Sequence, residues 1–154
     1  MDSINISEQD LFYQTINEVI YIVRHQPYFA GFEGVKLLSL LNKMKNFKES
    51  HGQNHPSMPN LLNNIGDILE ECDLLQYSII FFIEQLRIEK YYLGFQNPDL
   101  ASTLHRIGQA HLRNNQIPEA AKYLFEAIRI LNNSKQKGHI HGFIIFNLGL
   151  VAYH

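Results

Sequence analysis

The chain of 154 residues is short of several things, and each shortage removes a class of protein. It has one cysteine, Cys72, so no internal disulfide can form. A lone thiol suits a reducing compartment, and the cytosol is the expected setting. Neither sign of charge is in excess: 13 basic and 15 acidic side chains leave a net −2. A nucleic-acid-binding chain needs a strongly basic face, so nucleic acid is not an expected partner. No apolar run reaches the roughly 20 residues that span a bilayer. The opening Met1-Asp2-Ser3-Ile4 has no basic stretch leading into an apolar one, so neither a signal peptide nor a membrane partner is expected. Glycine usage contains no Gly-x-x-x-x-Gly-Lys phosphate loop, and no cofactor is implied.

What remains is an ordinary globular composition, 45% hydrophobic and 18% charged, in a chain long enough to bury a core. Its main signal is internal repetition. Asn54-His55-Pro56 opens a stretch that continues Asn60-Leu61-Leu62-Asn63-Asn64-Ile65-Gly66-Asp67. Gln96-Asn97-Pro98 opens another, continuing Ser102-Thr103-Leu104-His105-Arg106-Ile107-Gly108-Gln109. A third starts near His139-Ile140 and runs through Ile145-Phe146-Asn147-Leu148-Gly149. The glycines stand 42 and then 41 residues apart.

Each full copy reads as two helices. In the second copy Asn97 and Pro98 start the first helix, with Leu104, Ile107, Gly108 and His111 on its buried stripe. Asn114-Asn115 breaks it, and Glu119 opens a second helix buried through Ala120, Leu124, Ala127, Ile128 and Leu131. The earlier copy matches with Leu62, Ile65, Gly66 and Leu69, a break at Cys72-Asp73, then Ser78, Phe82, Gln85 and Leu86. A glycine inside a helix costs roughly 1 kcal/mol against alanine. Close approach of the neighbouring helix, with Ser78 or Ala120 opposite, is the expected compensation. Upstream, Ser7 caps a helix over about Glu8 to His25 carrying Leu11, Phe12, Ile16, Val19, Ile20 and Val23. Gly31 and Gly34 precede another through Val35, Leu37, Leu38, Leu41 and Met44, with Gly31 in register with Asp73.

This pattern resembles the tetratricopeptide repeat, which asks for a large residue, an apolar-Gly pair and small residues in the second helix. Leu104, Ile107-Gly108, Ile117, Ala120, Leu124 and Ala127 fit it best. The 42-residue period, the His-Pro or Asn-Pro opening and the Leu-Asn-Asn-Ile-Gly run look more like the kinesin light chain branch. The resemblance covers 55–154, and Ser78 and Gln85 replace the alanines it asks for. It implies an all-α superhelix of antiparallel helix pairs, about seven helices in one continuous domain. Residues 1–54 form a degenerate or capping pair, 55–96 and 97–138 two repeats, and 139–154 the first helix of an incomplete one.

In such arrays first helices line a concave groove. The side opposite each buried stripe holds Asn60, Asn64, Asp67 and Glu71, then Ser102, Arg106, Gln109 and Arg113, then Phe143, Asn147 and Leu150. That mixture of acidic, basic and apolar residues suits an extended peptide. The resemblance further implies that Asn64 and Asn147 bond the backbone of a bound peptide, with Arg106 interrupting the series. Arg106 and Arg113 offer a grip on a carboxylate instead. The bland alternative is that these are solvated polar side chains.

In the third copy Ile145, Leu148 and Ala152 are expected to pack back on the second copy, leaving Phe143, Phe146 and Leu150 uncovered. Three readings fit: a piece of a longer protein, a short variant, or a surface for self-association. The eight histidines, including His139-x-His141 and His51 with His55, read as loop residues rather than a zinc site. His111 reads as a hydrogen-bonded core residue, and Glu70-Glu71 with Asp73 as a solvated helix end. Phe81 is expected part-exposed on the outer face. The functional expectation is a scaffold or adaptor segment that is not an enzyme. The alternative is an assembly subunit that self-associates through its C-terminal helix.

Overall fold

The computed structural model describes residues 7–52, 54–135 and 138–153, with Glu8 by its backbone alone. The opening Met1-Asp2-Ser3-Ile4 and His154 lie outside them. Among the described residues there are seven α-helices, one short 3-10 helix and no strand, so the chain is all-α. It divides into two compact units, residues 1–53 and 54–154.

The first unit holds α1 (Glu8–His25), the 3-10 helix (Pro27–Ala30) and α2 (Phe32–His51), each packed on the other two. Ser7 stands in an extended conformation before α1, and its Oγ accepts from the Asp10 N–H at 3.1 Å, satisfying an amide the helix cannot. Phe12, Ile16, Val19 and Val23 of α1 are buried, as are Leu37, Leu41 and Met44 of α2. Leu11 and Val35 are exposed instead, because each lies one position off the stripe. Lys48 is buried yet satisfied: its Nζ donates to Gln9 Oε1 at 3.2 Å and lies over the Phe12 ring. Gly31, in register with Asp73, has φ −97°, so this connection is not the left-handed turn of the later copies. Gly34 falls inside α2 rather than before it, and a Cβ there would collide with the Phe29 carbonyl.

The second unit holds α3 (Met58–Glu71), α4 (Leu75–Leu93), α5 (Leu100–Arg113), α6 (Ile117–Asn132) and α7 (His139–Ala152). Each helix packs on the next, and α5 also packs on α7. The bounds of α3 recur in α5 after 42 residues, and the start of α4 recurs in α6 at the same interval. The turns recur too. Asp73 has φ 61° and Asn115 φ 59°, the left-handed region that these side chains tolerate best after glycine. The next amides, of Leu74 and Gln116, each donate at 2.9 Å to the carbonyl five residues back. That is a Schellman-type closure using up carbonyls the helix end leaves free.

Two boundaries differ from the sequence reading. Helix α5 begins at Leu100, and Asn97 Oδ1 accepts from the Asp99 N–H at 2.9 Å, building the turn before the helix. Helix α6 begins at Ile117, where Pro118 needs no amide partner in the first turn. The core of this unit runs through Phe82, Leu86, Leu100, Leu104, Leu124, Leu131 and Ile144. Side chains of this size are each worth about 1.5–3 kcal/mol when taken out of water. Phe81, expected part-exposed, is fully buried.

The two helical glycines make the expected close approach, against other side chains than expected. A Cβ on Gly66 would lie 2.4 Å from a ring carbon of Phe82, and one on Gly108 2.7 Å from Leu124. The small residues Ser78 and Ala120 are buried one turn earlier on the same helices. Gly149 breaks the pattern: nothing lies within 4 Å of its added Cβ. Helix α7 turns a different side inward than the spacing suggested. Ile144 is buried, with Ile140, Leu148 and Val151 packed against the same core, whereas Ile145 is 51% exposed and Ala152 is exposed.

Candidate functional site

Helices α3, α5 and α7 carry all of the sequence-derived groove residues. On α3, Asn60, Asn64 and Glu71 are exposed and Asp67 is half-buried. On α5, Ser102, Gln109 and Arg113 are exposed and Arg106 is half-buried; on α7, Phe143 and Leu150 are exposed. Arg106, Gln109 and Arg113 share one side of α5, since residues three, four and seven apart stand above one another. Two open clefts meet that side.

The first cleft lies between α3 and α5, has a volume of about 380 Å³ and is lined by Asp67, Glu70, Glu71, Arg106 and Arg113. Arg106 pairs with Asp67 and donates to Asn63 Oδ1, while its guanidinium carbon stands 4.5 Å from the centre of the Phe82 ring. Burial pulls its pKa below the ordinary arginine value. Arg113 donates to Glu70 Oε1 at 2.8 Å. Both arginines therefore already have acidic partners inside the unit, and Glu70 is part of an ion pair rather than a bare solvated end. A ligand carboxylate would have to compete with Asp67 and Glu70 for them.

The second cleft lies between α5 and α7, about 560 Å³, lined by Gln109, His139, Gly142, Phe143, Phe146 and Asn147. Phe143 and Phe146 are 60% and 65% exposed, a large apolar offer for a surface helix. Asn147 is a correction to the sequence reading. It is buried, and its Nδ2 donates to His105 Nε2 at 2.7 Å. Because α7 is rotated, its amide joins two helices and is spent there, so the backbone-bonding role implied by the resemblance is left to Asn64. His105 is buried too, and desolvation holds its pKa below the usual imidazole value. A neutral ring with Nε2 as acceptor fits both facts.

Beneath the clefts, α4 and α5 are joined by a polar cluster. Thr103 Oγ1 donates to Glu89 at 2.8–2.9 Å, and Gln85 Nε2 donates to Glu89 Oε1 at 2.8 Å. Burial raises the Glu89 pKa, and these hydrogen bonds partly oppose it. Gln85 Oε1 is buried without a hydrogen-bond partner. His111 is the hydrogen-bonded core residue expected, with Nδ1 2.8 Å from Gln116 Oε1 and its ring stacked on Tyr123. Among the described residues no three His, Cys, Asp or Glu side chains converge on a point that could hold a metal.

Sequence reasoning passed over Asn63, Glu70, His105, His139, Gly142 and Phe146. A signal for some of them existed. Asn63 and Glu70 precede Arg106 and Arg113 by 43 residues, and His105 precedes Asn147 by 42. Complementary side chains about one period apart mark neighbours on successive first helices. No described helix is long and apolar enough to cross a membrane. No protein-family model matches the chain, and no curated protein matches it.

Proposed function

We propose that the chain is a protein-interaction scaffold of the tetratricopeptide kind, nearest in pattern to the kinesin light chain branch, that binds an extended peptide along α3, α5 and α7. The observation that carries this reading is the pair of clefts on one side of α5, one charged and one aromatic. An apolar or aromatic peptide side chain would seat against Phe143 and Phe146. Polar or charged neighbours would meet Asn64, Glu71 and Arg113. The 42-residue recurrence of helix bounds and left-handed turns supports the repeat assignment beneath it. The lone half-buried Cys72 suits a cytosolic setting.

Peptides selected from a random display library on the intact chain would test this. Aromatic anchors in binding surfaces cost more than about 1 kcal/mol when truncated, which is at least a fivefold loss of affinity. Phe143→Ala should weaken the selected peptides by that much, and Asn64→Ala should weaken them further if its amide holds their backbone. Unchanged titrations with both variants would sink the proposal.

A further inference from the structure

We infer that the side of α7 carrying Ile145, Leu148, Gly149 and Ala152 docks an amphipathic helix of another protein, one with a small residue followed four positions later by leucine or phenylalanine. This rests on the scaffold reading and adds a second kind of partner on a different side of α7. On a 3.6-residue helix this side is turned away from Phe143 and Leu150 at the aromatic cleft.

The argument comes from repetition within the unit. Leu62, Ile65, Gly66 and Leu69 of α3 are all buried, with Phe82 of α4 seated over Gly66. Leu104, Ile107, Gly108 and His111 of α5 are all buried, with Leu124 of α6 seated over Gly108. The same residue pattern recurs on α7 41 positions later, and there it is open. Ile145 is 51% exposed, Ala152 is exposed, and the space beside Gly149 is empty among the described residues. The surface is thus a third edition of an interface the chain builds twice, continuous with the α5–α6 stack.

Those two interfaces also specify the occupant. The covering helix places Ser78 four residues before Phe82 in α4, and Ala120 four before Leu124 in α6. The small residue lets the backbones approach, and the large one fills the notch over the glycine. From His139 to Ala152 there is no Asp, Glu, Lys or Arg, so the arriving face should be uncharged as well. A second copy of this chain is disfavoured as the donor, because its α4 and α6 already have these faces buried.

The test uses the intact protein and a fluorescent peptide of residues 117–132, a helix known to fit a glycine notch of this type. Saturable anisotropy is expected, weakened at least tenfold by Gly149→Leu in the protein and likewise by Leu124→Ala in the peptide. Circular dichroism checks folding of Gly149→Leu, whose new side chain enters open space. No saturable binding up to about 1 mM, the edge of meaningful affinity, would overturn the inference. Equal binding by Gly149→Leu would do the same. So would concentration-dependent dimerisation abolished by Ile145→Glu, since the site would then belong to a second copy. Asn64→Ala and Phe143→Ala should leave this peptide's affinity unchanged. Failure at Gly149 with library peptides still bound through Phe143 refutes the helix site alone, and loss of the latter refutes the scaffold reading itself.

Discussion

Burying an imidazole with no carboxylate beside it favours the neutral ring, and His105 is in that position between α5 and α7. Its folded pKa lies below the unfolded value of about 6.5, so below that pH the unfolded chain binds more protons than the native one. The stability His105 contributes is therefore present above about pH 6.5 and is lost as pH falls through its lower folded pKa. One group can tilt stability by no more than about 1.4 kcal/mol per pH unit. Glu89 tilts the other way, because its pKa is raised and its contribution is lost as pH rises. His105→Gln separates the two: the new amide oxygen still accepts from Asn147 but does not titrate. Urea unfolding of both proteins between about pH 5 and pH 7.5 should show the wild-type advantage shrinking towards acid. A difference that stays flat would show that the ring is not held neutral.

Helices were the most legible scale in the sequence, and the reasons are local. Ser7 as a cap, the breaks at Cys72-Asp73 and Asn114-Asn115, and the stripes of α3 and α5 all follow from side-chain chemistry read three and four residues apart. Helix α7 was read wrongly because it is apolar on most of its circumference, so spacing alone could not choose the inward side. The choice fell to tertiary partners, the His105 bond to Asn147 and the socket for Ile144, which no local pattern encodes. The same difference predicts opposite responses to one substitution. Ala at Gly66 or Gly108 gains about 1 kcal/mol of helix propensity but forces Phe82 or Leu124 aside, and overpacking costs about 1–3 kcal/mol. Both variants should lose stability on balance. Gly149→Ala should instead gain up to about 1 kcal/mol. Thermal melts of the three would settle the order, and a destabilised Gly149→Ala would contradict the open space beside it.

The division at residue 53 sets how the whole molecule should come apart. Each unit has its own buried set, but a unit of about 50 residues is near the lower limit for independent stability, whereas about 100 is comfortable. Expressed separately, 54–154 should melt cooperatively with high helical content, and 1–53 should show weak, broad unfolding. A 54–154 fragment without cooperative unfolding would mean that its core is incomplete alone. The clefts and the uncovered side of α7 differ in a way that reaches kinetics. Helix α7 has no acidic or basic side chain, while the α3–α5 cleft is built from two arginines and three carboxylates. Charged partners are drawn in through the ionic atmosphere and slow markedly as salt is added. A ligand arriving only at α7 should associate at an ordinary diffusive rate that ionic strength barely changes, so a stopped-flow salt series can tell which door a partner uses.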